Sequence, residues 1–111
     1  MFLRRIMSKS ALSLKCSNDD LRSFVEDFIE QSDFYFTFNS LCLYIVSLAN
    51  QKDLFVKESN VEYSEIELNG IDIKRINLII WDKIWDRKII IDFSKDKYQS
   101  SNDYRFMKMD K

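Results

Sequence analysis

No histidine and no proline occur in this chain of 111 residues, which holds one glycine and two cysteines. The lack of histidine removes the commonest general base, the commonest metal ligand and any imidazole pH switch. The lack of proline excludes a proline-rich linker, and a lone glycine leaves few turns that can rely on positive φ. Cys16 and Cys42 are too few for a disulfide framework. They read as reduced thiols of a cytoplasmic protein. Cys42, between Leu41 and Leu43, reads as a small buried hydrophobe. No apolar run reaches the roughly 18 residues that cross a bilayer, so no membrane partner is expected. No phosphate-binding or dinucleotide glycine loop, no Cys/His metal spacing and no Ser-His or Cys-His pair can be built. The expectation is of a protein that is not an enzyme, with no catalytic residues, no metal and no cofactor.

Bulk and charge are what the chain has. Hydrophobic residues make up 46% of it, with nine Phe, five Tyr and two Trp, enough for one core of large side chains. The net charge of −1 hides three blocks: residues 1–18 carry four bases and no acid, residues 19–68 net −8, and residues 69–111 net +3. The first block is expected to be a basic, flexible arm, although organellar presequences share its composition. Residues 19–111 are expected to form a single globular α+β domain. The acidic middle block argues against a phosphate backbone as its partner and speaks for a basic protein.

The clearest element is a helix over 19–31. Leu21, Phe24, Val25, Phe28 and Ile29 recur at the 3.6-residue period, and Ser17 before Asp19 and Asp20 suits its N-terminus. The aromatic run 34–38 has strand character, and Leu41–Ala49, apolar nearly all round, is expected to be a second helix, with Asn39 or Ser40 as cap. Asn69-Gly70 lies between two apolar runs and is the strongest short hairpin signal, since type I′ turns need positive φ twice. A two-residue loop pairs Leu68 with Ile71 and Ile66 with Ile73 on one face, with a bulge near Ser64-Glu65. Ile89–Ile91 and Tyr104–Met109 are further strands. The expected fold is therefore α+β: an amphipathic N-terminal helix and a second apolar helix packed on an antiparallel sheet with an Asn-Gly hairpin. The alternative is a winged helix-turn-helix, with a helix from the Ser59 capping box to Gly70, a second one capped by Asp72 with Ile76, Ile80 and Ile84 as its core stripe, and a wing from the last two strands.

The candidate site follows from the charge. Glu58, Glu62, Glu65, Glu67 and Asp72 form an expected acidic face. In the hairpin Glu67 lies opposite Asp72, a costly like-charge pair that a basic partner would relieve. This reading makes the protein an inhibitor or immunity-type module that masks a basic partner such as a nuclease toxin, with charge speeding association. An ordinary solvated acidic face is the plain alternative. Trp81 is expected in the core and Trp85 as an aromatic anchor. Asp72-Ile73-Lys74 also fits the D/E-x-K element of metal-dependent nucleases if it lies on a strand. The second functional reading is a winged-helix DNA-binding regulator, using Lys74, Arg75, Lys83, Arg87 and Lys88 as a basic patch; it alone would take nucleic acid as partner.

Overall fold

A computed structural model describes residues 5–7, 10–58, 61–63, 65–92 and 104–109. Strands β1 (Arg5–Met7) and β2 (Ser10–Leu12) precede helix α1 (Asn18–Gln31). Strand β3 (Tyr35–Thr37) then runs directly into helix α2 (Phe38–Gln51). Strands β4 (Val61–Tyr63) and β5 (Ile66–Leu68) lead to helix α3 (Gly70–Trp85), followed by β6 (Ile89–Ile91) and β7 (Arg105–Lys108).

Each helix starts where a side chain can take an orphan backbone donor. Ser17 Oγ accepts the Asp20 N–H at 3.1 Å. Thr37, rather than Asn39 or Ser40, caps α2, in a reciprocal box with Ser40. Asn69 Oδ1 accepts the Asp72 N–H at 2.9 Å and caps α3. The two chain reversals after α2 and α3 put Asp53 (φ 57°) and Arg87 (φ 62°) in the left-handed region. With one glycine in the sequence, ordinary residues take these C-terminal positions.

β3, β7 and β6 form an antiparallel sheet in that order. Phe36 stands opposite Phe106, and Ile91 opposite Phe106 on the other side. Asp92, 6% exposed, fixes this sheet through Arg105, whose Nη2 lies 2.6 Å from Oδ2. The core joins the sheet to all three helices: Leu21 and Val25 of α1, Leu41 and Ile45 of α2, Ile76 and Ile80 of α3, with Ile89 and Phe106. Phe28 meets Phe36 edge-on, ring centroids 5.5 Å apart, and so seats α1 on the sheet.

The α+β class and the two expected helices are present. The Asn-Gly hairpin is not. Gly70 has no positive φ, which a type I′ turn requires, and it opens α3 instead. The Asn side chain is spent as a helix cap. Beyond it, Asp72, Ile76, Ile79 and Ile80 share the buried side at helical spacing, which outweighs the alternation a strand needs. The winged-helix parse is corrected as well. Val61–Tyr63 and Ile66–Leu68 are strands rather than parts of a helix, and Gly70 begins a helix rather than ending one. Its later part holds: Ile76 and Ile80 are buried, Ile84 packs on the core, and β6 pairs with β7. In chain order α1, β3 and α2 are followed by β4 and β5 before α3, β6 and β7, and β3 lies beside β7. β4 and β5 stand where a helix-turn-helix has a tight turn.

Those intervening residues engage the expected basic arm. β1 pairs in parallel with β4, and β2 in parallel with β5. Leu14 bridges to Phe55, and both are buried. The segment 10–16 is thus built into the domain, because its apolar Leu12 and Leu14 belong to the core region.

Candidate functional site

A groove of about 560 Å³ opens between α2 and β5. From α2, Phe38, Cys42, Leu43 and Val46 form one wall. Ile66 and Leu68 of β5 and Ile73 of α3 complete the apolar lining, and Glu65 and Glu67 join it. Both glutamates are exposed, so they stand at its rim. Leu43 is 61% exposed, a large apolar side chain left facing solvent in the groove. The cause lies in α2 itself: Leu41, Ile45 and Ala49 satisfy the core, and a helix apolar all round has a second face left over.

The structure divides the expected acidic face. Glu65 and Glu67 are brought together on the groove. Glu58 is exposed but does not line it, and Glu62 has its backbone in β4 while its side chain lies outside the described ones. Asp72 is withdrawn from the surface altogether, at 3% exposure. Its Oδ2 accepts the Leu14 N–H at 2.8 Å, and its Oδ1 accepts from Arg75 Nη1 at 2.9 Å. Arg75 also donates to Asn18 Oδ1 at 2.8 Å and to the Cys16 carbonyl at 2.9 Å. Asn69 Nδ2 donates to Ser13 Oγ at 2.7 Å. Asp72, Arg75 and Asn69 therefore clamp residues 13–18 onto the start of α3. A buried carboxylate of this kind is paired because leaving it alone is costly. The like-charge pair of Glu67 and Asp72 disappears with the hairpin that created it.

The strand premise of the nuclease motif fails for the same reason. On α3, Asp72 and Lys74 point about 200° apart; the first is buried and the second exposed. Among the described residues no three acidic or thiol side chains converge as metal ligands. Burial pushes the Cys16 thiol up, against the opposing pull of Arg75, which disfavours the nucleophilic thiolate.

The expected basic patch is dispersed. Lys83 is hydrogen-bonded to Glu26 of α1, and Arg75 is committed to Asp72. Lys74 lies in the second turn of α3, whereas Arg87 stands in the chain reversal beyond its C-terminus. Four large apolar side chains face outward along α3, beside the exposed Lys74, Asn77 and Asp82. Ile71 is 74% exposed, Leu78 61%, Trp81 52% and Trp85 86%. Trp85 is thus the exposed aromatic the sequence suggested, while Trp81, expected in the core, joins it outside. No helix among the described residues is long and apolar enough to cross a membrane.

The chain matches no family model, no curated protein and no solved structure. The groove and the α3 stripe therefore carry the functional argument unaided. Sequence reasoning passed over the groove wall, although the all-round apolar character of 41–49 was its signal. The α3 stripe is hidden in the hairpin reading, which places Ile71 and Ile73 on a strand.

Proposed function

We propose that the protein is a small binding module of the inhibitor or immunity type. It masks a basic protein partner by taking a cationic, partly apolar segment of it into the groove between α2 and β5. The observation that supports this is the pairing of an apolar lining with two exposed carboxylates, Glu65 and Glu67, at one cavity. Apolar side chains of the partner would bury against Leu43, Val46 and Ile73. Lys or Arg beside them would meet the glutamates, which raises the association rate and disfavours acidic competitors. The net charge of −8 over residues 19–68 acts in the same direction at longer range. The half-buried Cys16 and Cys42 suit a reducing, cytoplasmic setting.

The test is a titration of the isotope-labelled protein with an amphipathic Lys/Leu peptide and its Glu/Leu counterpart. The cationic peptide should shift amide signals at 42–46 and 65–68, and its affinity should fall with salt. Glu65→Lys with Glu67→Lys should weaken it at least about tenfold, the size of two lost charge contacts. Equal binding of both peptides, or an unchanged affinity in the double variant, overturns the proposal. A pull-down from the native host with the same two proteins side by side then identifies the partner.

The part of the winged-helix parse that the structure retains, α3 followed by the paired strands β6 and β7, favours a second reading, duplex DNA binding through α3. The outward face of that helix offers Lys74 to phosphates but sets Asp82, Asp86 and two tryptophans beside it. A steep salt dependence of duplex binding, lost with Lys74→Glu, would place this reading first.

A further inference from the structure

The exposed stripe on α3 is self-complementary, and the geometry points to a second copy of this chain as its occupant. Ile71, Lys74, Leu78, Trp81, Asp82 and Trp85 fall within about 60° of one helical meridian, and all six are exposed. Apart from Trp81, whose mirror position is held by Arg75, their order is balanced about Leu78. Seven residues before it stands Ile71 and seven after it Trp85; four before it stands Lys74 and four after it Asp82. When two α3 helices cross antiparallel on a two-fold axis through Leu78, Leu78 meets its own copy. Ile71 then packs on Trp85 at each end. Each Lys74 faces an Asp82, so both symmetry-related ion pairs form at once. Such mutual pairing of one patch with itself is what an isologous dimer needs.

Charge decides between a second copy and an unrelated apolar partner. A parallel arrangement would set Lys74 against Lys74 and Asp82 against Asp82, so the pattern also fixes direction. Asp82 already accepts from Arg22 at 2.8 Å, and a carboxylate has lone pairs for a further donor. The four apolar side chains offer on the order of 500 Å² per protomer, short of the ~800 Å² of a standard interface. The dimer is therefore weak and reversible. The α2–β5 groove takes no part in it, so a dimer can still hold a partner segment.

Sedimentation velocity on the full chain, from about 5 to 500 µM, tests this, with tryptophan emission as a parallel reading. Both tryptophans of the chain lie on the stripe, so association should shift their emission to the blue as concentration rises. Leu78→Asp should leave a monomer. Lys74→Glu should raise the dimer dissociation constant about tenfold, as two pairs turn repulsive. Lys74→Glu with Asp82→Lys should restore it. Circular dichroism checks that each variant keeps its helices. A wild-type chain that stays monomeric throughout overturns the inference. So does a dimer that survives Leu78→Asp, or one that the exchange of charges does not restore. Glu65→Lys with Glu67→Lys should leave dimerisation unchanged, which separates this result from the groove reading.

Discussion

Helices α1 and α3 pack side by side on the same core but end at solvent in opposite ways. α1 buries Leu21 and Val25 and turns Asp19, Asp20, Asp27 and Glu30 outward. α3 buries Ile76, Ile79 and Ile80 and turns Ile71, Leu78, Trp81 and Trp85 outward. The first is the pattern of a helix whose outer face meets water alone. The second carries more apolar surface than the core uses, and surplus apolar surface on one face marks a contact. Residue type alone does not separate the two faces of α3: isoleucines stand on both, and position decides which is core.

The sharpest way to break that comparison is to shorten one apolar residue on each face of α3. Ile76 is fully buried and Leu78 61% exposed. Ile76→Ala should cost about 3 kcal/mol of stability through lost burial and the cavity left behind. Leu78→Ala should change it by under about 0.5 kcal/mol in dilute solution. Urea unfolding of both variants is the measurement. Similar losses would mean that Leu78 is part of the core and the outward stripe is misassigned.

The carboxylates of α3 divide in the same way. Asp72 holds the Leu14 N–H and Arg75 out of water, whereas Asp82 meets Arg22 at the surface. Asp72→Ala should destabilise by about 2–3 kcal/mol, since it orphans a buried donor and a half-buried guanidinium. Asp82→Ala should cost no more than about 0.5 kcal/mol. An Asp72 variant of unchanged stability would return that residue to the acidic surface where the sequence placed it.

α1 was legible in the sequence because its polar and apolar residues separate cleanly by the helical period. α3 was not. Leu78, Ile79, Ile80 and Trp81 are consecutive and apolar, so no single stripe stands out. Asn69-Gly70 supplies a turn signal and a cap signal at once, since Asn serves both. Strands β6 and β7 were legible from the β-branched Ile89–Ile91 and from the run that begins at Tyr104. The parallel pairing of β1 and β2 with β4 and β5 was not, because it joins segments over fifty residues apart and short strands carry no mark of their partner. Of the site, Glu65 and Glu67 were legible as charge. Their neighbour, the α2 wall, was hidden because a buried helix and a helix with a spare apolar face have the same composition.

Gly70 offers a smaller effect that separates a hairpin turn from a helix start at this position. It has no heavy atom within 4 Å of a built Cβ and no positive φ. Gly70→Ala should therefore raise stability by roughly 0.5 kcal/mol, by restricting the unfolded chain and favouring the helix. A hairpin turn at this position would make the same substitution destabilising, so the sign of the change in thermal midpoint decides.

The smallest effect lies on the seam between the two helices. Lys83 of α3 donates to Glu26 of α1 and holds that carboxyl below the usual carboxylate range, with Arg22 and Lys88 adding to the pull. A carboxyl whose pKa is lower in the folded than in the unfolded chain contributes stability that is fully present above the unfolded value. That contribution fades as pH falls through the folded value. Glu26 is half exposed, so water screens the pair and its share is small, about 0.5 kcal/mol at neutral pH. Glu26→Gln should lower the urea midpoint slightly at pH 7, and the gap to wild type should close as the solution is taken below about pH 4. A gap that persists in acid would show that Glu26 works through packing against α3 rather than through charge.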